Sequence, residues 1–109
     1  MFDANLRYLP KGYKFFADVY TCEQGTPLYE AGVRVGHVLY GEMLDESEKN
    51  PTVSLRVGDS SILVSDDEEF YEYWLVYAGN IKDGELHDFI SDESKIKAIK
   101  ILKEYNYEQ

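Results

Sequence analysis

The sequence predicts an α+β fold: a mostly antiparallel sheet of four or more strands with a C-terminal helix, and a second helix at about 66–78. Three observations carry this. Aromatic and β-branched runs broken by turn residues fill the first 64 positions, with no helical period among them. The segment from Ser91 onward has apolar residues at helical spacing. Between them, Ser65–Tyr77 joins helix-start signals to the densest aromatic block and the only tryptophan, Trp74. The 109 residues suit one domain, 1–109.

Met1–Lys11 reads as an irregular lead-in closed by Pro10 and Gly12. Tyr13–Thr21 (Tyr-Lys-Phe-Phe-Ala-Asp-Val-Tyr-Thr) has strand composition, and Glu23–Pro27 supplies a turn through Gly25 and Pro27. Val33–Tyr40 alternates as a second strand, in which Gly36 hints at a bulge or a close backbone approach. Glu42–Asn50 reads as an acidic connector ending at Pro51. Thr52–Val57 and Ser61–Val64 flank Gly58-Asp59-Ser60, a hairpin pattern.

The middle stretch admits two readings. Ser65 with Glu68 forms a capping-box pattern, Asp66–Glu69 complement a helix N-terminus, and Gly79 suits a C-terminal cap; these three signals favour a helix. Tyr73–Tyr77 has strand composition instead, and Lys82-Asp83-Gly84 could turn it into a second strand at Glu85–Ile90. The last helix starts at Ser91 or Asp92 and runs to about Tyr105. Its expected buried stripe is Ile96, Ile99, Leu102 and Tyr105, with Ala98 and Ile101 beside it.

Net charge is −10. Residues 92–109 carry four acidic and four basic side chains, which leaves 17 of the 21 acidic and 7 of the 11 basic residues on 1–91. Such a surface repels phosphate backbones and anionic membranes, so direct nucleic-acid or membrane binding is not expected. A basic protein, including one that grips nucleic acid, would be steered toward it. Cys22 is the single cysteine and cannot form an internal disulfide; no leader or membrane span is indicated, and a cytoplasmic location is expected.

Catalytic chemistry finds little support. His37 and His87 are the only histidines and lie in no recognisable motif; His87-Asp88 lacks a third member and reads as a solvated strand-end or loop pair. Cys22 reads as a small buried side chain. No ligand spacing for zinc or calcium and no phosphate-cradling glycine loop occurs, so no metal and no cofactor are expected.

Two acidic clusters remain: Glu42, Asp45, Glu46 and Glu48, and then Asp66, Asp67, Glu68, Glu69 and Glu72. One account is that they keep the surface solvated. The other is that they imitate nucleic-acid phosphates and enter a basic groove, with Tyr71 and Tyr73 beside them as exposed anchoring rings.

Asp-Asp-Glu-Glu-Phe-Tyr at 66–71, in a small, acidic, tyrosine-rich α+β domain, resembles the phage proteins that disarm host nucleic-acid enzymes, the DNA-mimicking anti-CRISPR proteins in general type. Ile62-Leu63-Val64-Ser65-Asp66, Trp74-Leu75-Val76 and Gly84-Glu85 are also similar to the late strands of phage uracil-DNA glycosylase inhibitors. Met1–Thr21 lacks the acidic leading strand by which those inhibitors grip their enzyme, so no binding residue is carried over. The resemblance implies a non-enzymatic inhibitor in a bacterial host that competes with nucleic acid for a basic site on a host protein. It also implies a hairpin at the middle stretch. An accessory, immunity or assembly protein binding through a sheet edge is the alternative expectation, and a small enzyme using His37, His87 or a carboxylate pair is the third.

Overall fold

The computed structural model describes residues 1–45, 51–66 and 72–105. Its centre is a six-stranded sheet in the order β4-β3-β2-β1-β5-β6, every neighbouring pair antiparallel. The strands are β1 (Lys14–Cys22), β2 (Val38–Asp45), β3 (Thr52–Val57), β4 (Ser60–Ser65), β5 (Tyr73–Lys82) and β6 (Glu85–His87). Short helices α1 (Ala4–Arg7) and α2 (Pro27–Glu30) precede β1 and β2, and α3 (Asp92–Tyr105) closes the described chain. The α+β class and the late helix are as expected, and the first four strands form the expected antiparallel meander.

Three elements differ from expectation. The helix at about 66–78 is not formed over 73–78: these residues lie in β5, paired along β1 from Cys22↔Tyr73 to Phe15↔Asn80. Residues 67–71 lie outside the described residues. The cap signals lose because the aromatic-rich ladder of Tyr73–Asn80 against β1 satisfies more backbone and buries more side chain than a short helix could. Asp66, expected to complement the N-terminus of that helix, is used elsewhere.

The second strand begins later than Val33. Val33–His37 form a turn in which Gly36 adopts φ +94°, a conformation open to glycine, and donates its N–H to the Val19 carbonyl at 2.9 Å. Glu42–Asp45 are therefore strand and not connector. The turn expected at Glu23–Pro27 is formed, with Gly25 at φ +92°, and runs directly into α2: Thr26 accepts from the Tyr29 N–H at 3.2 Å, and Pro27 occupies the first turn. The lead-in also contains more order than expected, since Asp3 caps α1.

One face of the sheet buries Phe15, Ala17 and Val19 of β1, Leu39 and Met43 of β2, Val53 and Leu55 of β3, Val64 of β4, and Tyr73 and Leu75 of β5. Phe2, Leu6, Leu28 and Val33 complete this core. The first residues also close it. Phe2 bridges Leu75 in parallel, while its N–H donates to Asp66 Oδ1 at 2.8 Å, just beyond β4. Strands β4 and β5 are far apart in the sheet order, so for one segment to reach both the sheet must curl round its apolar face, part-way to a barrel.

The opposite face carries α3 over Phe16, Val38 and Ala78. Ser91 caps α3 by accepting from the Ser94 N–H at 3.1 Å, and the Ser94 hydroxyl donates to the Asp18 carboxylate at 3.0 Å. That bond fixes the helix rotation. The buried line is Ser94 and Ala98, flanked by half-buried Ile101 and Leu102, and not the expected Ile96-Ile99 stripe: Ile96 is 66% exposed. Ala98 has no bulk to hold the helix off the sheet, which lets the axis approach on its side.

Candidate interaction surface

Strand pairing decides where the acidic runs lie. Asp45, the last residue of β2, pairs with Thr52, and Thr52 pairs with Ser65 on the next strand. The Asp66 N–H then donates to the Pro51 carbonyl at 3.0 Å. The chain on either side of 46–50 and the start of 67–71 thus leave the sheet from neighbouring rungs. The return is close as well: the Met1 ammonium donates to the Tyr73 carbonyl at 2.7 Å and lies 3.9 Å from Asp66 Oδ1. The described residues that border the two acidic runs, Asp45, Pro51 and Asp66, thus lie together at one end of the β2–β3–β4 meander.

The expected contact residues divide into five groups. Asp66 is interior: its side chain is 4% exposed and accepts from the Phe2 N–H and the Arg7 guanidinium, so it holds the fold and is not a surface anchor. Tyr73, expected as an exposed ring, is 2% exposed within the main core, because β5 turns it to the same face as Leu75. Glu42 is half-buried on β2, with Lys14 directly across the ladder. Asp45 is exposed at the end of β2, and Glu72 is half-buried just before β5. Glu46, Glu48, Asp67, Glu68, Glu69 and Tyr71 lie outside the described residues.

Two rings that the sequence did not single out take the place of Tyr73. Trp74 is 46% exposed and pairs with Thr21; Tyr20 is 56% exposed at the irregularity between Val19 and Thr21. Beside them the Glu23 N–H donates to the Glu72 carbonyl at 3.0 Å, bringing two acidic residues to the same ladder end. The missed signal was period two: once Tyr73 and Leu75 are buried in a strand, Trp74 must face outward. Half-exposed Trp and Tyr next to carboxylates combine apolar contact area with long-range attraction for a cationic partner.

The residues considered for chemistry do not converge. His37 is exposed, and its Nδ1 accepts from the Arg34 N–H at 3.2 Å; His87 is exposed at the end of β6. Asp88 accepts from Asn80 Nδ2 at 3.3 Å, so the pair at 87–88 is a strand-end feature. Cys22 is half-buried, its thiol donates to the Val33 carbonyl at 3.5 Å, and burial raises its pKa. Among the described residues no group of three His, Cys, Asp or Glu is placed to hold a metal ion, and no helix is long and apolar enough to cross a membrane. Comparison with protein-family models, curated proteins and solved structures finds no match for the chain.

Proposed function

We propose that this protein is a non-enzymatic inhibitor, encoded by a phage or mobile element, that occupies the basic nucleic-acid-binding site of a bacterial host enzyme such as a CRISPR effector nuclease. The acidic end supplies the field that draws the partner in, and Trp74 and Tyr20 supply apolar anchors. The observation that carries the reading is the Asp45–Thr52–Ser65 rung, whose described residues flank both acidic runs; Trp74 and Tyr20 stand with Glu23 and Glu72 at the far end of β1. A charge coat kept only for solubility has no need of such grouping.

The test is affinity capture from a nuclease-treated bacterial lysate, with the triple variant Asp67→Lys, Glu68→Lys, Glu69→Lys alongside. Asp66 is left intact because it holds the fold. Nucleic-acid-handling proteins captured at low salt should be released by rising salt and by added duplex DNA, and the variant should capture none. Capture indifferent to salt, DNA and charge reversal would refute the reading.

A second reading is an accessory protein that binds by strand addition. Edge strand β4 (Ser60–Ser65) carries no charged residue and leaves Leu63 64% exposed, without the lysines or prolines that usually blunt such an edge. Capture that resists salt and disappears in Leu63→Lys would favour it.

A further inference from the structure

On the α3 side of the molecule lies a groove of about 750 Å³, between α3, the turn preceding β2 and the β3–β4 hairpin. Its apolar surface comes from Val35, Val38, Leu39, Val57 and Ile101. Arg56, Lys97 and Lys100 line it with a single carboxylate, Glu104, so three cations face one anion in a chain of net charge −10. Lys97 is partly committed, donating to the Gly36 carbonyl at 2.6 Å and lying 3.5 Å from Glu93. Lys100 forms no ion pair among the described residues.

We infer that this groove binds a small amphipathic anion: a carboxylate or phosphate head on a flat apolar body. The size suits a single small ligand, and an apolar floor with a few convergent polar groups is the usual make-up of such sites. The surrounding charge decides between ligand types. A compact inorganic anion is repelled by the molecule as a whole and gains nothing from the apolar floor. An apolar body binds through the floor, and its head group is then oriented by Lys100 and Arg56. Val35, 63% exposed at the groove, is the natural cover for such a body. The site is distinct from the acidic end and makes no use of it.

The probe is 1-anilinonaphthalene-8-sulfonate, titrated by calorimetry and fluorescence against the intact protein, with near-ultraviolet circular dichroism to show that the fold is kept. Its neutral counterpart N-phenyl-1-naphthylamine and inorganic phosphate are titrated in parallel. One sulfonate should bind per chain, more tightly than the neutral compound, and phosphate should not bind. Lys100→Glu should weaken the sulfonate roughly tenfold, the loss of one well-placed charge contact. Val35→Asp should weaken it too, and Lys82→Glu on the β5–β6 hairpin should not. No binding up to about 1 mM, the weak limit for a specific site, would overturn the inference. Equal affinity in Lys100→Glu and Lys82→Glu would do the same. So would sedimentation showing an oligomer that salt dissociates and Lys100→Glu abolishes, since another copy's acidic segment would then fill the groove.

Discussion

Arg7 donates to Asp66, 59 positions further along the chain, and only 4% of the Asp66 side chain reaches water. The same carboxylate accepts from the Phe2 N–H, so one side chain fastens the first residues to the end of β4. Asp66→Ala removes the acceptor that both donors share and should cost about 3 kcal/mol of stability in urea titration. A loss below about 0.5 kcal/mol, the range of ordinary surface substitutions, would mean the closure does not depend on this group.

Gly79 lies against the Phe89 ring so closely that a Cβ there would sit 2.4 Å from Phe89 Cδ1. Phe89 in turn packs on Phe16 with ring centroids 5.7 Å apart, so it has little room to retreat. Gly79→Ala should therefore destabilise by about 1–3 kcal/mol through overpacking. Adding Phe89→Leu should recover part of that loss, a coupling that a double-mutant cycle measures directly.

Asp18 under the N-terminus of α3 gives a pH-dependent prediction. Burial raises its pKa above the ordinary 3.8, against the opposing pull of the Ser94 hydroxyl and Lys97. The folded chain therefore keeps this proton after the unfolded chain has lost it. The group's contribution is complete below pH 3.8, falls as pH rises through the folded value, and stays lost at neutrality. Asp18→Asn keeps an acceptor for Ser94 and removes the charge. Its melting temperature should exceed the parent's at pH 7 and match it at pH 3.

Alkaline pH should act on two tyrosines. Burial pushes the Tyr77 hydroxyl up to about 12, although Asn80 donates to it at 2.7 Å, and burial also raises Tyr40. Both raised values mean stability that is intact below pH 10 and lost as pH climbs through the folded pKa. Replacing both by Phe should flatten the decline of the melting temperature between pH 10 and 12; an unchanged slope would contradict the assignment.

Trp74→Ala and Tyr20→Ala separate binding from folding. Both rings are about half exposed, so each change should shift stability by no more than about 1 kcal/mol. If these are the anchors of the acidic end, each should weaken the captured partner about tenfold or more. Unaltered affinity would remove them from the surface.

What the sequence made legible follows how local each signal is. The β3–β4 hairpin and the capped start of α3 depend on neighbouring residues, and both lie where the turn residues and Ser91 put them. The β5 strand depended on β1, more than fifty residues away, and no local cap signal could weigh that ladder. The rotation of α3 was hidden for a related reason: counting apolar residues favoured Ile96, whereas a polar bond between Ser94 and Asp18 sets the face. In the acidic end, charge could be read directly from the sequence. That Asp66 is interior could not, because its burial depends on meeting Phe2 and Arg7, 64 and 59 residues away.

The pairing of Phe2 with Leu75 also bears on how fast the molecule can assemble. Contacts between residues so distant in sequence require the intervening chain to be ordered first, and topologies dominated by them form slowly. The meander can zip from its hairpins early, but the seam that joins Phe2 to Leu75 and to Asp66 must wait for β5 to reach β1. The seam is thus the last part of the molecule to take shape, and a newly made chain buries Asp66 against Phe2 and Arg7 only when folding is nearly complete.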